Sequence, residues 1–300
     1  MKHVTLRQLK VFESVARHLS FSRAAEELHL TQPAVSMQVK QLEEQAGLPL
    51  TEMVGKKVYL TSAGEEVARH ARRIAQQLRE AGEAIDAIKG VRGGRLSIGV
   101  ISTAKYFAPC LLAQFLRSRP GIELNLRVNN RETVVRQLAD NEIDLAIMGQ
   151  PPQEFTTVSE AFADHPLVIV AAPEHPLARA KHIAPAELNE QTFLIREPGS
   201  GTRATMERFF SDAGIAPQHV LEMVGNETIK QAVMAGLGLA FISAHTVSLE
   251  CEVGRLVKLP VAGTPVTRRW FVVHRADKEL LPVAETFRVF LLAEAPGLMK

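Results

Sequence analysis

Residues 31–43 read Thr31-Gln32-Pro33-Ala34-Val35-Ser36-Met37-Gln38-Val39-Lys40-Gln41-Leu42-Glu43, and this one stretch divides into two incompatible faces. Thr31 suits a helix N-cap, and Pro33 in the first turn costs no helical hydrogen bond. Val35, Val39, Leu42 and Ala46 recur at helical spacing and form a narrow apolar stripe. The opposite arc carries Gln32, Pro33, Ser36, Met37 and Lys40. A helix held from behind, with short polar groups on its N-terminal half, suits insertion into a DNA major groove. Taken alone, it equally suits a three-helix bundle with a solvated polar face.

The flanks separate the two readings. Leu6, Leu9, Phe12, Val15 and Leu19 mark a first amphipathic helix ending before Ser20. Ser22 is placed to cap a short second helix with Ala24, Ala25 and Leu28 inward, and His29-Leu30 leaves room only for a tight turn. Helix, short helix, tight turn, longer helix is the helix-turn-helix order, here at about residues 21–40. Two short extended pieces then flank a turn at Gly55-Lys56-Lys57, as a basic β-wing requires. Gln32 and Ser36 are expected to contact base edges or nearby phosphates, and Pro33 a thymine methyl or sugar. Lys40, Lys56 and Lys57 are expected on phosphates, with Ser22, Thr31 and Met37 completing the reading surface.

Residues 1 to about 90 resemble the winged helix-turn-helix and linker helix of LysR-type transcriptional regulators. The matching pieces are Leu6-Arg7-Gln8-Leu9, Phe21-Ser22-Arg23-Ala24-Ala25, Thr31-Gln32-Pro33-Ala34-Val35-Ser36 and Leu60-Thr61-Ser62-Ala63-Gly64, in order and at matching distances. Thr51 stands where the family usually has phenylalanine, and Met37 where it often has arginine.

The chain has 300 residues, 46% hydrophobic and 23% charged, with a net charge of +2. That length accommodates a small domain and a two-lobed one. Residues 1–60 hold eight Lys and Arg against six Glu, so the basic excess sits in the expected reader. Binding to DNA therefore depends on where individual cations stand and not on a bulk field. The start of the chain has no apolar run of signal-peptide length, and charges or prolines interrupt every apolar segment. A cytoplasmic location is expected. Cys110 and Cys251 are isolated, and the ten histidines form no ligand spacing, so neither a metal nor a cofactor is expected.

Ser62-Ala63-Gly64-Glu65 has the pattern of a capping box opening a long helix. Val67, Ala71, Ile74, Leu78, Ala81, Ile85 and Ile88 then alternate steps of four and three, the 3.5-residue period of a coiled-coil seam. A homodimerising linker is expected, and two readers at fixed separation recognise an inverted repeat. After Gly90, strands and helices alternate. Helices are expected at 106–118, 132–140, 203–213, 227–235 and 282–293, and strands at 95–101, 122–128, 143–148, 167–171, 192–195, 220–224, 238–242, 256–259 and 269–274. The alternation argues mainly parallel sheets. Composition shifts near 163–166 and 263–265 suggest two chain crossings. The expected organisation is a winged helix-turn-helix at 1–61, a coiled-coil linker at 62–90 and a two-lobed α/β effector domain at 91–300. Lobe I would be 91–164 with 267–300, and lobe II 165–266. The family resemblance implies the same layout, with an effector domain like a periplasmic binding protein.

Ligands of open α/β sheets bind beyond the carboxyl ends of strands, where helix N-termini offer free N–H groups. Three stretches fit: Ile101 to Lys105, Met148-Gly149-Gln150, and Pro198 to Arg203. Ser102, Thr103, Lys105, Asn130, Met148, Gly149, Thr202 and Arg203 are the expected contacts, with Arg203 as a fork for a carboxylate or phosphate. A helix-capping role alone would also account for Ser200 and Thr202. Gly199-Ser200-Gly201 lacks the spacing of a nucleophile elbow, Gly236-Leu237-Gly238 is no dinucleotide fingerprint, and no P-loop occurs, so no catalytic residue is assigned. Within the family, the segments Ile101 to Pro109, Asn130 to Thr133, Arg196 to Arg203 and Asn226 to Gly236 resemble regulators of Calvin-cycle CO2-fixation operons. That resemblance implies a transcription activator answering to an anionic metabolite, working with RNA polymerase as a homodimer or homotetramer. Regulators of sulfur or aromatic metabolism share the scaffold, and a ligand-binding protein without DNA function is the remaining alternative.

Overall fold

The computed structural model describes residues 1, 3–55, 57–88 and 93–299. The expected phosphate contact Lys56 and the 90/91 boundary lie outside them. Backbone contacts divide the chain into two units, residues 1–90 with 140–142, and residues 91–139 with 143–300.

The first unit orders α1 (Leu6–His18), α2 (Phe21–Leu28), α3 (Gln32–Ala46), β1 (Thr51–Val54), β2 (Lys57–Leu60) and α4 (Ser62–Ile88). Its core gathers Val11, Phe12, Val15, Ala24, Ala25, Val35, Val39, Leu42, Leu50 and Ala68. The buried stripe of α1 is Gln8, Val11, Phe12, Val15 and Ala16, whereas Leu6 and Leu19, expected inside, are exposed. Leu6 opens the helix and Leu19 ends it in the left-handed conformation, so neither completes the inward turn. Two caps stand one or two residues earlier than expected. Ser20, not Ser22, accepts the Arg23 N–H at 3.3 Å to start α2. Thr61, not Ser62, accepts the Gly64 N–H at 3.0 Å to start α4, while its hydroxyl donates to Pro49 O at 2.7 Å. The close approach there requires Gly64, because a Cβ at that position would lie 1.9 Å from the Leu50 carbonyl oxygen.

The second unit runs β3 (Gly94–Ile101), α5 (Ala108–Arg117), β4 (Ile122–Asn129), α6 (Arg131–Ala139), β5 (Leu145–Met148), β6 (Thr157–Ala171), β7 (Thr192–Arg196), α7 (Gly201–Ala213), β8 (His219–Met223), α8 (Asn226–Met234), β9 (Leu239–Ser243), α9 (Ser248–Glu252), β10 (Val257–Lys258), β11 (Val266–Arg275) and α10 (Pro282–Leu298). The strands join in the order β4-β3-β5-β11-β6-β9-β7-β8, with β10 on β6. The expected mainly parallel sheets are instead one mixed array. β3 pairs in parallel with β4 and β5, and β7 with β8 and β9, but β6 and β11 run antiparallel to each other and to their other neighbours. These two long strands carry the chain across and back, which reverses their direction. The stretch near 163–166, where a chain crossing is expected, is continuous strand, with Pro166 opposite Thr267. Lobe I packs Leu96, Ile98, Val100, Phe115, Trp270 and Phe287, and lobe II packs Leu167, Ile169, Phe193, Phe210 and Phe241 on one sheet face. No helix among the described residues is long and apolar enough to cross a membrane.

Candidate functional site

Helix α3 buries Val35, Val39 and Leu42 and leaves Gln32, Pro33, Ser36, Met37 and Lys40 exposed on one arc. The Thr31 hydroxyl accepts the Ala34 N–H at 3.4 Å, and Gly47, at φ 72°, closes the helix. Ser22 stands exposed in the first turn of α2. One carboxylate oxygen fixes the wing: Glu43 Oε1 accepts from Leu50 N at 2.8 Å, Thr51 N at 3.0 Å and the Thr51 hydroxyl at 3.1 Å. At this position a threonine therefore serves by hydrogen bonding where an aromatic ring would serve by packing. In the wing hairpin Val54 pairs with Lys57, whose side chain is exposed. Behind the reader, Glu27 joins α2 to α1 by accepting from Arg17 at 2.7 and 2.8 Å and from Ser14 at 3.0 Å. The Arg17 guanidinium, assisted by His18 and Ser14, pulls the Glu27 carboxyl down to about 2.

The α4 seam splits in two. Val67 packs against the core of its own unit and Ala71 is buried. Further along, Ile74 is 38% exposed, Leu78 53% and Ile85 52%, and Ala81 is exposed too. The Ile88 side chain lies outside the described residues.

In the second unit a cleft opens between the two lobes. Lobe I contributes Ile101, Ser102 and Thr103 after β3, Asn130 and Arg131 at the start of α6, and Met148, Gly149 and Gln150 after β5. Lobe II contributes Arg196 at the end of β7 and Ser200, Gly201 and Thr202 at the start of α7, and Arg268 enters from β11. Six of the eight sequence-expected contacts therefore come together: Ser102, Thr103, Asn130, Met148, Gly149 and Thr202. Arg203 and Lys105 do not belong to the lining. The Arg203 guanidinium is held by Glu222 at 2.6 Å, Glu207 at 2.8 Å and the Arg196 carbonyl at 3.0 Å. Lys105 lies 3.9 Å from Glu227 and over the Tyr106 ring. Acidic neighbours draw both cations away.

Arg196 and Arg268 are cleft residues that sequence reasoning missed. Arg196 is 4% exposed and pairs with both oxygens of Glu197 at 2.7 and 2.6 Å. It also donates to Ser102 Oγ at 3.3 Å and to Asn226 Oδ1, so it spans the two lobes. The pairing holds the Glu197 carboxyl at about 2. Arg268 donates to Gly201 O at 3.0 Å and Thr205 Oγ1 at 2.6 Å. No carboxylate among the described residues pairs with it, and burial, with Arg208 adding repulsion, lowers it to about 10. No side chain caps the start of α7 beside it. A charged arginine next to uncapped helical N–H groups is a seat for an anion. Among the described residues no cluster of His, Cys, Asp and Glu is arranged to hold a metal ion.

The two units define a DNA reader and a ligand-binding module in one chain. Residues 6–65 match the family described as bacterial regulatory helix-turn-helix protein, lysR family, and residues 89–296 match the LysR substrate binding domain. The chain belongs to the LysR family of DNA-binding transcriptional regulators. It is 54% identical over 293 residues to the RuBisCO operon transcriptional regulator of Allochromatium vinosum, covering 98% of this chain and 97% of that one. It is 53% identical over 290 residues to the HTH-type transcriptional regulator CbbR of Rhodospirillum rubrum, covering 97% and 96%. The regulatory domain of CcmR from Synechocystis PCC6803, solved in complex with 2-PG, is similar over 67% of this chain and 96% of its own, with 40% identity and a TM-score of 0.64.

Proposed function

We propose that this chain is a cytoplasmic activator of CO2-fixation genes that binds an inverted-repeat promoter site and answers to a phosphorylated carboxylic acid such as 2-phosphoglycolate. Residues 1–61 read DNA, with Gln32 and Ser36 on base edges, Pro33 on an apolar base or sugar surface, and Lys40, Lys56 and Lys57 on phosphates. Ser22 and Thr31 flank this surface. Residues 62–90 pair two protomers through Ile74, Leu78, Ala81, Ile85 and Ile88. Pairs of dimers form the tetramer that works with RNA polymerase. Residues 91–300 bind the effector.

Arg268 carries the effector reading. A half-buried cation without an acidic partner gains from an anion that completes it, and the cleft supplies the uncapped α7 start and the hydroxyls of Ser102, Thr103, Ser200 and Thr202 around the same space. The effector biases the lobes only by its differential affinity for their arrangements, on the order of 1–3 kcal/mol of coupling. A gel-shift comparing DNA upstream of the host's CO2-fixation operon with a sulfur-assimilation promoter of equal length tests the assignment. Binding at least tenfold tighter to the first is expected. Equal binding to both would remove the assignment to carbon fixation.

A further inference from the structure

We propose that Met37 reads the C5-methyl group of one thymine in each half-site and selects against guanine at that position. The proposal rests on α3 being the reading helix. Met37 is 53% exposed and belongs to no packed apolar cluster. It stands four residues after Pro33, which is also exposed, so the two form a short apolar ridge with their Cβ atoms roughly 5–6 Å apart. Polar Ser36 and cationic Lys40 flank that ridge. The arc thus carries hydrogen-bonding groups, a phosphate-seeking cation and one long apolar side chain.

Major-groove chemistry offers such a side chain one apolar feature, the thymine methyl. The unbranched, polarizable thioether adapts its three torsions to a methyl group at the groove floor. It carries no donor for the N7 and O6 of guanine, so guanine there would lose water from two acceptors and gain nothing. Discrimination against the wrong base adds to attraction for the right one.

The test selects duplexes from a randomised library with the full-length protein and then replaces each thymine of the selected site singly by deoxyuridine, which lacks only the methyl. Wild type is expected to lose about fourfold in affinity at one thymine per half-site, the worth of one buried methyl. Met37→Ala should bind thymine and deoxyuridine equally at that position, with the helical circular dichroism and thermal midpoint of wild type showing that it folds. Met37→Arg should select guanine there. If no thymine shows a Met37-dependent methyl effect, or if Met37→Ala weakens every duplex alike, the proposal is overturned. If the wild-type protein enriches no sequence at all, the reading surface itself fails, and the proposal with it.

Discussion

Arg268 and His165 are direct register partners across β11 and β6, the two strands that carry the chain between the lobes. His165 is fully buried and stacks on Trp270 with ring centroids 3.8 Å apart. Burial, reinforced by Arg268 and His245, pushes the imidazole down to about 2, so it stays neutral at physiological pH and leaves Arg268 the charged member of the pair. Gly149 closes the group, because a Cβ there would lie 2.9 Å from His165 Nδ1 and 3.2 Å from an Arg268 terminal nitrogen. One of the cleft's three arginines is thus mounted on a crossing strand, with Arg131 on α6 and Arg196 on β7 as the other two.

The linker seam makes a first prediction. Leu78 and Ile74 are the most useful positions because both stand exposed on α4 within the described part of the seam. Burying Leu78 against a partner helix is worth about 1.5–3 kcal/mol per protomer, and an aspartate there would be an unpaired buried charge. Ile74→Asp and Leu78→Asp should each dissociate the dimer in sedimentation velocity at micromolar concentration. Unchanged sedimentation in both variants would place the main interface elsewhere.

Gly64 gives a stability prediction. Backbone carbonyls do not move aside as side-chain tips do, so Gly64→Ala must shift the start of α4 away from Leu50. A loss of about 1–3 kcal/mol is expected from the forced rearrangement, read by urea unfolding of the DNA-reading unit through its helical circular dichroism. An unchanged midpoint would mean that the observed approach of α4 to Leu50 is not maintained in solution.

Glu27 supplies a pH prediction. Its carboxyl is lowered in the folded chain, so its contribution is fully present above about 4.5 and is lost as pH falls from there toward about 2. Half-exposed as the pair is, the effect is modest. Glu27→Gln should therefore be less stable than wild type at pH 7, and the gap should narrow at pH 3. A gap of equal size at both pH values would show that the carboxylate's charge plays no part.

The reading helix and its packing partners were legible because Val35, Val39 and Leu42 recur at helical spacing and all three are buried. The helices α6, α7 and α8 lie within two residues of their expected bounds, since local periodicity governs them. The long strand β6 was half hidden: Asp164-His165-Pro166 has the composition of a turn, yet pairing with β11 keeps it extended. Arg268 carries no local signal, for only the return crossing brings it to the start of α7. The glycine-rich turn before Arg203 points it toward the cleft in the sequence, but Glu207, one helical turn on, and Glu222, on the neighbouring strand, claim its guanidinium. Charge partners set by tertiary structure decide which arginine lines the cleft.

The central claim, that an anion seated on Arg268 governs DNA reading, is tested most directly by DNase I footprinting of the CO2-fixation promoter during a titration with 2-phosphoglycolate, wild type beside Arg268→Gln. Removing a charge-assisted hydrogen bond costs about 1.5–3 kcal/mol, roughly a ten- to hundredfold loss of affinity. Arg268→Gln is expected to keep the ligand-free footprint while the anion-dependent change moves to at least tenfold higher concentration. A footprint change at the same concentration in both proteins would contradict it.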